Sequence, residues 1–115
     1  MIDGIKLLRL KEIIQSEYGI DLNINLTTML LDEDRALVNT ITNEILVNGN
    51  QCKGTDDIIE AVAHEAAHLV KPSLKDGSEK FSRLWTEIYK NMASIYYARE
   101  RRKDYELLTV RKAYE

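Results

Sequence analysis

The chain has few of the residues that staple, break or specialise a fold: one Cys, one Pro, five Gly, one Phe, one Trp and two His among 115 residues. The lone Cys52 cannot close an intramolecular disulfide, which excludes a disulfide scaffold and points to a reducing compartment, the cytoplasm. Cys52 also stands outside any two-cysteine spacing, so it is expected to be a structural or exposed thiol and not a metal ligand. No apolar run approaches the roughly 18 residues needed to cross a bilayer, so membrane association is not expected. The opening Met1-Ile2-Asp3-Gly4-Ile5-Lys6 lacks the basic stretch, apolar run and cleavage site of a secretory signal. Basic residues are in the minority, 16 against 19 acidic, for a net charge of −3. Nucleic acid could therefore be engaged only through a local patch, and is an unlikely partner. What is present is ordinary for a folded protein: 44% apolar and 30% charged residues. At 13.3 kDa the chain has room for a single domain over residues 1–115, with one modest core.

Asp3 can cap a first helix over about residues 4–18, in which Leu7, Leu10, Ile14 and Tyr18 recur at helical spacing and Gly19 offers a left-handed stop. Ile20, Leu22, Ile24 and Leu26 then alternate with polar residues, the period of a half-buried strand. The polar segment Leu31-Asp32-Glu33-Asp34-Arg35 breaks this pattern. Ala36–Ile41 and Ile45–Asn48 read as a hairpin turning through Thr42-Asn43-Glu44. After a polar loop, Thr55, Asp56 and Asp57 supply caps and negative charge to a second helix. Its apolar face is Ile59, Val62, Ala63, Ala66, Leu69 and Val70, and Pro72 ends it. From Ser78 a long third helix carries Phe81, Leu84, Trp85, Ile88, Tyr89, Met92, Ile95 and Tyr96 as one stripe. The mixed charges of Arg99-Glu100-Arg101-Arg102-Lys103-Asp104 read as a solvated face of that helix.

Both histidines fall in one helical turn, as His64-Glu65-Ala66-Ala67-His68, an HExxH motif. Four residues advance a helix by about 6 Å and slightly more than one turn, so the two imidazoles share a face and can grip one cation. Glu65 is offset by one position, where a carboxylate can reach a water on the open side of the metal. A cation of this kind polarises a scissile carbonyl and acidifies water, while the carboxylate takes the proton and passes it to the leaving amine. The small Ala66 and Ala67 allow close packing behind the histidine edge. With these residue frequencies the motif would arise by chance in roughly three of a thousand random sequences of this length, so coincidence competes weakly. The bland alternative is a pair of half-buried histidines making ordinary hydrogen bonds.

Three strands followed by Ala61-Val62-Ala63-His64-Glu65-Ala66-Ala67-His68-Leu69, a loop and Phe81-Ser82-Arg83-Leu84-Trp85 resemble the minimal zincin metallopeptidases of the SprT-like and WLM type. The resemblance covers about residues 20–90. It implies an α+β, zincin-like fold: an N-terminal helix, a small three-stranded antiparallel or mixed sheet, the HExxH active-site helix and a long C-terminal helix. It also implies zinc as cofactor, His64 and His68 as metal ligands, Glu65 as the catalytic residue, and a protein or peptide as substrate. In these families a third ligand, a His four residues before the Phe of the second motif, completes the site. Here that position is Gly77, which has no side chain to offer.

Several carboxylates could replace it. Asp76 needs a shift of one residue, although with Glu79 it also reads as a helix cap with its reciprocal partner. Glu87 has the spacing of zincins whose third ligand is a glutamate on the following helix, although Arg83 and Lys90 offer it surface ion pairs. Glu79 and the absence of any third ligand complete the alternatives, with Asp76 the provisional choice. Tyr89, Tyr96, Tyr97 and Tyr105 are candidate donors to an oxyanion, but most fit an apolar stripe. The hairpin offers an edge to which an extended peptide could add. The expectation is therefore a zinc metallopeptidase, with a partner protein as a possible source of specificity. The competing reading is a non-catalytic zincin-like binding module that has lost its third ligand.

Overall fold

The computed structural model describes residues 4–31 and 33–114, with side chains described through Arg102. The elements run α1 (Gly4–Tyr18), β1 (Asn23–Thr27), β2 (Ala36–Asn39), β3 (Glu44–Asn48), α2 (Thr55–Val70) and α3 (Glu79–Tyr114). This is an α+β arrangement of three helices and a small mixed sheet. The strand order is β1-β3-β2, with β1 parallel and β2 antiparallel to the central β3. No helix among the described residues is long and apolar enough to cross a membrane. Asp3 and Asp32 lie outside the described residues, as do the side chains of Lys103, Asp104 and Tyr105.

Local chemistry sets the element boundaries. Gly19 adopts a φ of 67° and its N–H donates to the Gln15 carbonyl, closing α1 as a left-handed stop. β1 is shorter than the alternation from Ile20 suggests, because its ladder with β3 begins only at Asn23 opposite Glu44. β2 ends at Asn39 and not at Ile41. The Asn39 side chain accepts from the Ile41 and Thr42 N–H groups and turns the chain, leaving Ile41 94% exposed. Asn43, with φ 55°, completes the reversal. Thr55 does not cap α2, whose cap is Gly54 without a side-chain bond; the Thr55 hydroxyl instead accepts from Lys6 Nζ at 3.0 Å. Asp56 and Asp57 sit in the first turn, where their charge suits the helix dipole.

One core joins all the elements. Leu10, Ile13 and Ile14 of α1 meet Ile24, Ile45 and Val47 of the sheet, Ile59, Val62, Ala63, Ala66 and Ala67 of α2, and Phe81, Ile88 and Met92 of α3. The alanines let α2 lie close to its neighbours: Ala63, Ala66 and Ala67 are all 0% exposed. α2 packs on α3 along one side and on β2 and β3 along another. The opposite edge of the helix, which carries the histidines, faces a cleft beside the β2 edge strand.

Candidate metal centre

His64, Glu65 and His68 occupy the open edge of α2, and each is half-buried. Asp76 reaches them from the α2–α3 connection. Its Oδ1 lies 3.4 Å from His64 Nε2 and its Oδ2 lies 4.0 Å from His68 Nε2. One ligand-type atom from each of the three residues falls within 4.8 Å of the others. They form a compact cluster of two nitrogen donors and one carboxylate.

The connecting turn explains how Asp76 gets there. Ser78 N–H donates to the Lys75 carbonyl at 3.1 Å, and Gly77 inside this turn has a φ of 83°. A β-branched or bulky residue is strained in that conformation, which favours glycine at this position. The cap of α3 is Ser78 and not Asp76: its Oγ accepts from the Phe81 N–H at 3.2 Å. Asp76 is thereby left available to the imidazoles, with its side chain 65% exposed.

The other proposed third ligands lie elsewhere. Glu79 and Glu87 are exposed along α3 on a shallow groove that includes neither histidine. Glu79 pairs with Arg83 at 2.5 Å, so Arg83 serves Glu79 and not Glu87, to which its spacing also offers it. Tyr89, Tyr96 and Tyr97 line neither cavity beside the histidines. Tyr96 is buried, and Tyr97 donates to Asp56 at the far end of α2.

The aromatic residues of α3 hold the imidazoles. Phe81, 2% exposed, stacks on His68 with ring centroids 4.4 Å apart and meets His64 edge-on at 5.1 Å. Trp85 contacts His64 at 5.4 Å, and its indole N–H donates to the Glu60 carbonyl at 3.2 Å, which fixes the ring. The apolar stripe of α3 forecast that these two rings face inward. It carried no sign that they orient the histidines.

The electrostatics follow from partial burial and crowded carboxylates. Burial raises the Glu65 carboxyl, and the negative charges of Asp76 and Asp34 push it further, to about 7. Burial also lowers the His68 imidazole from its ordinary value; neighbouring His64 acts in the same direction and Asp76 opposes. A neutral imidazole keeps the lone pair that a metal requires. Cys52 is fully buried, away from this cluster, and its thiol donates to the Arg35 carbonyl at 3.6 Å.

Two cavities meet at the centre. One of about 540 Å³ runs along β2 and is bounded by Glu65, His68, Pro72 and Asp76. The other, about 270 Å³, lies between the 33–36 segment and α2 and is bounded by His64, Glu65 and Trp85. No protein-family model matches this chain, and neither curated proteins nor solved structures give a significant match.

Proposed function

We propose that the chain is a compact zinc-dependent endopeptidase of zincin-like fold, acting on protein or peptide substrates in the cytoplasm. His64, His68 and Asp76 hold the metal and Glu65 moves the protons. The observation that carries this reading is the convergence of two imidazole nitrogens and a carboxylate within 4.8 Å. Atoms bound at about 2.0–2.1 Å around a tetrahedral zinc lie about 3.3–3.4 Å from one another. The His64–Asp76 separation of 3.4 Å matches that edge, while the 4.0 Å from His68 and the rest of the cluster, within 4.8 Å, would have to close further around a metal. Two imidazoles and one carboxylate, with room left beside them, make up a donor set suited to catalytic zinc. The crowding of Glu65, Asp76 and Asp34 is itself relieved by positive charge.

A divalent cation in this cluster would supply Lewis acidity, polarising a carbonyl and lowering the pKa of water toward about 7. Glu65 accepts a proton from the attacking water and delivers it to the leaving amine. The free edge of β2 runs beside the cluster, and an extended peptide added there gains backbone hydrogen bonds with little demand on its sequence. Specificity beyond that would come from side-chain cavities or a partner protein.

Replacing Glu65 by Gln tests the assignment. Peptide hydrolysis is expected to fall by the roughly 10²–10⁴-fold typical of a lost general base, with zinc content unchanged near one per chain. Turnover at the original rate refutes the mechanism. The 65% exposure of the Asp76 side chain favours a second reading, a non-catalytic binding module with a loosely held third donor. Failure to retain zinc after reconstitution and dialysis would select it.

A further inference from the structure

We propose that the smaller cavity, between the 33–36 segment and α2, receives a cationic group carried by the peptide substrate, a Lys or Arg side chain or a free N-terminal amine. This rests on the peptidase reading, because the cavity shares His64 and Glu65 with the candidate metal centre. A peptide lying across that centre projects a group into it. At about 270 Å³ the space accommodates a long side chain.

Its walls define the chemistry of the occupant. Glu33, Asp34 and Glu60 bring three carboxylates besides Glu65, against the single guanidinium of Arg35. That guanidinium is already engaged: Nη1 lies 3.3 Å from Glu60 Oε1, and Nη2 donates to the Asp57 carbonyl at 3.3 Å and lies 4.0 Å from its Oδ1. The cavity therefore retains an excess of negative charge. Trp85 lines it with its polar N–H turned to the Glu60 carbonyl, which leaves ring carbon as a surface for an alkyl stem or a cation.

The acidic wall is held in position from beneath. Asn48, 0% exposed, donates through Nδ2 to the Asp34 carbonyl at 2.7 Å and the Leu31 carbonyl at 3.2 Å. Its backbone N–H donates to the Arg35 carbonyl at 2.8 Å, which also accepts from the Cys52 thiol. A buried, fully bonded amide of this kind fixes the Asp34 and Arg35 backbone ahead of binding.

The test uses the full chain with metal removed by a chelator, so that binding is read apart from catalysis. Trp85 is the only tryptophan, and its emission reports occupancy of the cavity. N-acetylated, C-amidated peptides differing at one position are titrated: Lys, Arg, norleucine or Glu. Lys and Arg are expected to bind roughly tenfold more tightly than norleucine at low salt, with Glu weakest. Asp34→Asn and Glu60→Gln should each reduce that preference, and Glu60→Gln preserves the backbone acceptor that fixes Trp85. A peptide with a free α-amine and no basic side chain identifies the N-terminus as the recognised cation if it matches the Lys peptide.

Equal binding of Lys and norleucine peptides, no binding of either, or a preference unmoved by both variants overturns the proposal. Zinc-loaded protein that cleaves both peptides equally well also overturns it, while leaving the peptidase reading intact. Lys peptides that bind the chelated chain but are never cut after zinc loading support the cavity assignment and overturn the peptidase reading.

Discussion

The two faces of α2 differ sharply in what they expose. On one, Val62, Ala63, Ala66 and Ala67 are 0% exposed; on the other, the side chains of His64 and His68 keep 32% and 23% of their surface open. The packed face fixes where the helix lies. The open face carries groups whose value depends on reaching something outside the core. Stability and the proposed metal binding thus fall on opposite sides of one helix, and substitutions should divide along the same line.

The largest expected effect comes from the residue that belongs to both sides. Phe81 is buried and stacks on His68, so Phe81→Ala should cost about 3–5 kcal/mol in urea or thermal unfolding and also weaken zinc binding. Loss of stability with unchanged zinc affinity would show that helix geometry alone aims the imidazoles. Next, Asp76→Ala should leave the metal-free unfolding midpoint nearly unchanged. It should lower zinc affinity by at least the roughly 10–100-fold that loss of a ligand's supporting partner costs. Glu79→Ala and Glu87→Ala should leave zinc affinity where it is, and a dependence on Glu87 would remove Asp76 from the site.

The smallest effect lies at the far end of α2. The bond to Asp56 and partial burial raise the Tyr97 phenol to about 12 from the ordinary 10.0. Because the folded value is the higher one, this contribution is fully present below about pH 10 and disappears as pH rises through about 12. Tyr97→Phe should flatten the alkaline decline in unfolding midpoint over that range while leaving zinc binding untouched.

The helices are legible in the sequence because their signals are local: the three-to-four spacing of Leu7, Leu10 and Ile14, the stop at Gly19 and the break at Pro72. HExxH is legible for the same reason, since one helical turn suffices to bring His64 and His68 together. The parallel pairing of β1 with β3 is not, because nothing near Asn23 encodes a partner at Glu44. The strand ends were misjudged where a side chain intercepts the backbone, as Asn39 does. Asn48, which reads as the end of a strand leading into a polar loop, is fully buried and donates to the Leu31 and Asp34 carbonyls, a role its position in the sequence does not announce. Asp76 could be nominated from chemistry and proximity in sequence. What frees it, the capping of α3 by Ser78, depends on backbone geometry that spacing cannot reveal.

The donor groups and the rings that brace them all fall between His64 and Trp85, whereas two of the carboxylates in the smaller cavity, Glu33 and Asp34, come from a separate stretch of chain. On the proposed peptidase reading, reactivity and taste would be inherited on different segments. A lineage could then exchange Glu33 and Asp34 for residues of another sign or size and acquire new targets, without disturbing the residues proposed to hold the metal.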